Sequence, residues 1–160
     1  MTTPFLVRGD KIPQILDDGP PPTDAPRGLV WGLDLTGCTS KAEAKARWHT
    51  TRVSIKNELD ERPSIRKVCV ACVRPTTAAS SSTRIPQGFA PRLHNDLERD
   101  RARYLQTLVL DVTTCESSER LHERLTEAMC TTNRSWNDLT LEWSDVAECG
   151  FLEAWRRDSL

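Results

Sequence analysis

One phrase of this sequence occurs twice. Residues 33–47 read LDLTGCTSKAEAKAR and residues 110–124 read LDVTTCESSERLHER. Six of these fifteen positions are identical: Leu33/Leu110, Asp34/Asp111, Thr36/Thr113, Cys38/Cys115, Ser40/Ser117 and Arg47/Arg124. Each copy closes an apolar run and opens onto a segment with helical periodicity. A repeat at the junction of strand and helix constrains the whole chain, because it points to two similar β-α-β halves in series.

The surrounding segments fit that order. Leu29–Leu35 reads as a strand. Ser40 begins a helix to about Asp60, since Ser40-x-x-Glu43 forms a capping box. Ala44, Trp48, Ile55 and Leu59 fall on one face of it, and Pro63 lies just beyond its end. Arg66–Arg74, rich in Val and Cys, is a second strand. Leu93–Arg103 is a charged helix, Leu105–Val112 a strand and Ser117–Cys130 an amphipathic helix. Asp138–Trp143 alternates with period two, as a half-buried strand does. A last helix over about 146–157 carries Phe151, Leu152 and Trp155.

Two stretches interrupt this pattern. Residues 1–28 hold six of the ten prolines and read as an extended or disordered arm. Residues 75–92, with Pro75, Pro86, Gly88 and Pro91 among small polar residues, read as a flexible linker. The expected organisation is the arm 1–28 followed by one α+β domain over 29–160, with the linker between its two halves.

Two split β-α-β units in series predict a ferredoxin-like sandwich, an antiparallel sheet with helices on one face, plus a C-terminal helix. Leu33, Leu35, Leu108, Leu110, Val112, Leu139, Leu141 and Trp143 would then face the helices. Gly32, Asp34, Thr107, Val109, Asp111, Thr140 and Glu142 would line an open face. In that fold Asp34 and Asp111 lie on neighbouring strands, and Glu142 approaches from an edge. Such carboxylates offer hard oxygen ligands to Mg²⁺ or Mn²⁺. A metal-dependent phosphoryl-transfer or hydrolytic enzyme using Asp34, Asp111 and Glu142 is therefore one alternative function.

Composition narrows the remaining classes. The 160 residues carry a net charge of −1, which speaks against a strongly basic nucleic-acid binder. The expected open face has no aromatic residue for base stacking, and Arg99, Arg101 and Arg103 alternate with Glu98 and Asp100. A nucleic-acid-binding module is the second, less favoured alternative. No apolar run reaches membrane-spanning length, and the N-terminal residues do not read as a signal peptide. A cytoplasmic, intracellular protein without membrane contact is expected, its six cysteines reduced. Cys69 and Cys72 form a lone C-x-x-C within a strand, so their thiols should point to opposite faces. His49 and His122 read as helix-surface residues. No phosphate loop, dinucleotide fingerprint or zinc-protease motif occurs, so no cofactor is expected.

Residues 108–143 resemble the barstar-like ribonuclease inhibitors. A strand is followed by Leu121-His122 in a helix, then by Asn137-Asp138-Leu139 and the strand LTLEW. TTNRSW stands where that family has an aromatic-Gly-x-Asn segment. The resemblance implies an inhibitor-type binding role. Together these features predict a small non-enzymatic protein of accessory, regulatory or inhibitor type. It would act by protein–protein binding, with a protein partner or by self-association. The arm would dock as an extended segment, and Phe151, Leu152 and Trp155 would serve as interface anchors.

Overall fold

Every strand that the sequence predicts is present within one or two residues of its expected bounds, but the strands pair differently from expectation. The computed structural model describes residues 5–15, 25–76, 82–130 and 138–158. Its strands are β1 (Phe5–Gly9), β2 (Gly28–Asp34), β3 (Lys67–Val73), β4 (Gln106–Asp111) and β5 (Leu139–Glu142). They form one sheet in the order β1-β2-β3-β4-β5, and every neighbouring pair is parallel. The helices are α1 (Lys41–Glu61), α2 (Phe89–Arg101), α3 (Ser118–Cys130), α4 (Trp143–Val146) and α5 (Gly150–Asp158). The antiparallel ferredoxin-like sandwich is thus replaced by an α/β architecture with a five-stranded parallel sheet.

The physical reason lies in burial. α1 and α2 cover one face, packing on Leu29, Leu33, Val68, Val70, Cys72 and Val109. α3, α4 and α5 cover the other, packing on Val30, Cys69, Ala71, Leu108, Leu110 and Leu141. All seven residues of β3 are buried, which a sheet with one solvated face would not allow. The expected open face does not exist: Thr107 and Val109 are each 1% exposed. The set expected to face a single helical layer is divided: Leu33 and Leu35 pack on one side, and Leu108, Leu110, Val112, Leu139, Leu141 and Trp143 on the other.

The connections explain why the order was hard to anticipate. From β2 to β5 the chain advances one strand at a time in the same direction. α1 and α2 lie over one face and α3 over the other. The β4–α3–β5 connection therefore has the opposite hand to the two before it, a departure from the strong preference for a single hand.

β1 lies in the segment expected to be an arm. Phe5 and Leu6 are buried on opposite faces, and β1 pairs along its whole length with β2. The chain then turns tightly against β2. Asp10 N–H donates to Gly32 O at 2.9 Å, and Asp10 Oδ2 accepts from Asp34 N–H at 2.9 Å. Gly32 is required there, because any Cβ would lie 2.2 Å from Asp10 O.

The sequence repeat has a local structural counterpart. Asp34 Oδ1 accepts from Thr36 N–H at 2.9 Å, and Asp111 Oδ1 accepts from Thr113 N–H at 3.0 Å. Each carboxylate also accepts from its threonine hydroxyl. Cys38 N–H donates to Leu35 O and Cys115 N–H to Val112 O, both at 3.0 Å. Ser40 Oγ accepts from Glu43 N–H, and Ser117 Oγ from Arg120 N–H. The shared phrase thus encodes one strand-to-helix turn used twice, with the following helix placed on opposite faces of the sheet.

Candidate anion-binding groove

The local pattern of α1 builds one wall of a groove. Its buried stripe, Ala44, Trp48, Thr51, Ile55 and Leu59, faces the sheet. Beside it, Lys41, Lys45, His49 and Arg52 recur at spacings of four, four and three, so they share a flank of the helix. The opposite wall is the 82–88 segment with the first turn of α2. Between the walls is a cavity of about 720 Å³, within the size range of ligand sites.

The lining is chemically one-sided. Lys41, Lys45, Arg52, Arg84 and Arg92 line the groove together with His49, and among the described residues no carboxylate lines it. Among the described residues, Lys41, Lys45, Arg84 and Arg92 make no ion pair. Arg52 Nε lies 3.7 Å from Asp96 Oδ2. That carboxylate also serves Lys56 at 3.2 Å and Arg99 at 2.9 Å, so it neutralises Arg52 only in part. His49 Nδ1 is 3.3 Å from Arg52 Nη2. Such a concentration of one sign in a chain of net charge −1 sets up a local field that favours anions.

The floor is apolar. Trp48 and Phe89 pack with ring centroids 4.7 Å apart at 59°, flanked by Ala44 and Ile85. Trp48 is 3% exposed, and its buried indole Nε1 has no hydrogen-bond partner among the described residues. A buried donor without an acceptor is costly, about 1–3 kcal/mol. α2 also starts at the groove. Its N-cap, Gly88, has no side chain to accept from the first-turn amides, so the positive end of the helix is not capped from within.

The residues singled out in the sequence lie elsewhere. Asp34 and Asp111 are not neighbours, because β3 stands between β2 and β4, and by strand parity they point to opposite faces. Asp111 pairs with Arg74 Nη1 at 3.1 Å, and Arg74 Nε donates to Thr83 O. Glu142 is in register with Asp111 and caps α4 together with Asp145. Among the described residues no group of three or more His, Cys, Asp or Glu side chains is placed to hold a metal. Asp10 accepts from Arg47 at the end of β1, a pair absent from the sequence reading.

Phe151 is buried beneath the sheet at 2% exposure, whereas the side chains of Leu152 and Trp155 lie outside the described residues. Cys69 and Cys72 are buried in opposite clusters. Burial pushes the Cys69 thiol up to about 12 and Cys72 well above its ordinary value. His122 faces the Phe5 ring at 5.5 Å. Among the described residues, no helix is long and apolar enough to cross a membrane.

The sequence reading did not anticipate the groove. It weighed basic residues as runs along the chain, and no run occurs here. The signal was a helical one, the flank Lys41, Lys45, His49 and Arg52 on a helix whose bounds were already known. The facing cations, Arg84 and Arg92, sit in a segment read as a linker.

Comparison with known proteins adds no template. No protein-family model, curated protein or solved structure matches the chain.

Proposed function

We propose that this protein is a non-enzymatic binding module that holds an anionic partner in the groove between α1 and α2. The observation that carries this reading is the acid-free ring of five cations over an apolar floor. Four of those cations have no ion pair among the described residues, so an incoming anion need not displace an internal one. This is the chemistry of recognition by charge and shape, in keeping with an accessory, regulatory or inhibitor role.

Calorimetric titration with poly-L-glutamate tests the reading. The wild-type chain binds, and binding weakens as salt rises, because Debye screening shortens from about 10 Å at 0.1 M to about 3 Å at 1 M. The K45E/R92E variant changes two exposed side chains and loses most of the affinity while keeping its thermal transition. Equal binding by the variant and the wild type would place the polyanion elsewhere and overturn the proposal.

A further inference from the structure

We infer that the occupant of the groove is an extended acidic segment of a partner protein, with acidic and apolar side chains in alternation. This rests on the anion-binding reading above and specifies the partner. The α1 cations Lys41, Lys45 and Arg52 extend over eleven residue steps, about 16 Å at the helical rise. Lys41 and Lys45 are about 6 Å apart along the axis, and Arg52 lies about 10 Å further on. In an extended chain every second side chain points the same way, at about 6.6 Å intervals. Acidic side chains at alternate positions therefore match Lys41 and Lys45 in step, a later one comes within reach of Arg52, and Arg84 and Arg92 face them from the other wall. The intervening side chains meet the floor of Ile85 and Phe89.

Two features favour a polypeptide over other anions. Single-stranded nucleic acid gains about 1–3 kcal/mol per base by stacking on aromatic faces. Trp48 and Phe89 are only 3% and 6% exposed, so neither presents a free face. A small inorganic anion would be gripped by converging donors, whereas these cations are spread along the groove.

Fluorescence anisotropy with four probes tests the inference. They are a capped decapeptide alternating Asp or Glu with Leu or Val, its Asn/Gln counterpart, a decathymidylate oligonucleotide, and inorganic pyrophosphate as competitor. The acidic peptide binds at least about tenfold more tightly than its amide counterpart and than the oligonucleotide, as expected when several charge pairs contribute. K45E/R92E weakens it by about tenfold or more, and pyrophosphate at equal concentration does not displace it. Tighter binding of the oligonucleotide, or displacement by equimolar pyrophosphate, each lost in K45E/R92E, would overturn the peptide inference and leave the anion site standing. Equal affinity for the amide peptide would also overturn it. If no probe binds, or binding is indifferent to K45E/R92E, both readings fall.

Discussion

Replacing Gly32 by alanine tests the most unexpected feature of the fold, the pairing of β1 and its following turn with β2. The new Cβ would lie 2.2 Å from the Asp10 carbonyl oxygen. Relief requires the Asp10 backbone to retreat by about 1 Å. That atom cannot move freely. Asp10 is held by its N–H to Gly32 O at 2.9 Å, by the Asp34 N–H on its carboxylate at 2.9 Å, and by Arg47. Overpacking of this kind costs about 1–3 kcal/mol, and loosening a hydrogen bond costs about 1 kcal/mol more. The expected loss for Gly32→Ala is about 3 kcal/mol. With a urea dependence of about 2 kcal/mol per M, the midpoint falls by about 1.5 M. Gly37→Ala is the control, because nothing lies within 4 Å of its Cβ position. That change should be neutral or stabilising by about 0.5 kcal/mol through the unfolded chain. Gly28→Ala falls between, since its Cβ would meet the flexible end of Met129, with Sδ at 2.5 Å. Urea unfolding followed by tryptophan fluorescence measures all three. A Gly32→Ala protein as stable as Gly37→Ala would refute the close approach of Asp10 to β2.

Other expectations follow from groups held by burial. Arg103 donates to Ile65 O at 2.7 Å, to Arg62 O at 3.3 Å and to Leu59 O, tying the end of α1 to the start of β4. Arg103→Met keeps the apolar stem but loses these charged donors, and should cost about 2–3 kcal/mol in the same urea assay. The Cys69 thiol, raised to about 12, ionises more readily in the unfolded chain, at its ordinary value of 9.0. Its stabilisation is full below pH 9 and declines as pH rises toward 12, by about 1.4 kcal/mol per unit. The double variant C69A/C72A should flatten that decline. Lys67 acts in the opposite direction, since burial lowers it from 10.5 to about 8. The unfolded chain binds the extra proton between those values, so stability rises with pH there, and Lys67→Met should remove the rise in a pH series of urea midpoints.

What the sequence made legible was local. Ser40 Oγ accepts from Glu43 N–H as a helix start requires, while the Glu43 carboxylate accepts from Thr39 N–H rather than from Ser40, and α1 spans Lys41–Glu61, close to expectation. The LDxTxC phrase encodes a turn, and the turn forms in both copies. It carries no information about which face the next helix takes, and that choice determines strand order and hand. Inferring a duplicated β-α-β unit from the repeat therefore led to the wrong sheet. KVCVACV held the corrective signal. All seven of its residues are buried, and the unbroken apolar run Val68–Val73 belongs to a strand covered on both faces. Phe5-Leu6-Val7 is apolar, but it lies in a proline-rich stretch that reads against regular structure, so the edge strand β1 did not stand out. The carboxylates Asp34 and Asp111 drew attention as possible ligands. Each accepts from its threonine in the strand-to-helix turn, and β3 stands between their strands. The groove went unseen because its cations come from two segments that meet only in the folded chain.

A ¹H–¹⁵N correlation spectrum of the protein, titrated with the acidic decapeptide, tests the central claim most directly. The chain has five tryptophans, and Trp48→Phe identifies the indole signal of Trp48. The account predicts that this signal shifts as the groove above the ring fills. It also predicts that backbone shifts concentrate in residues 41–52 and 84–92. Shifts confined to other surfaces, with the Trp48 indole unmoved at saturation, would contradict it.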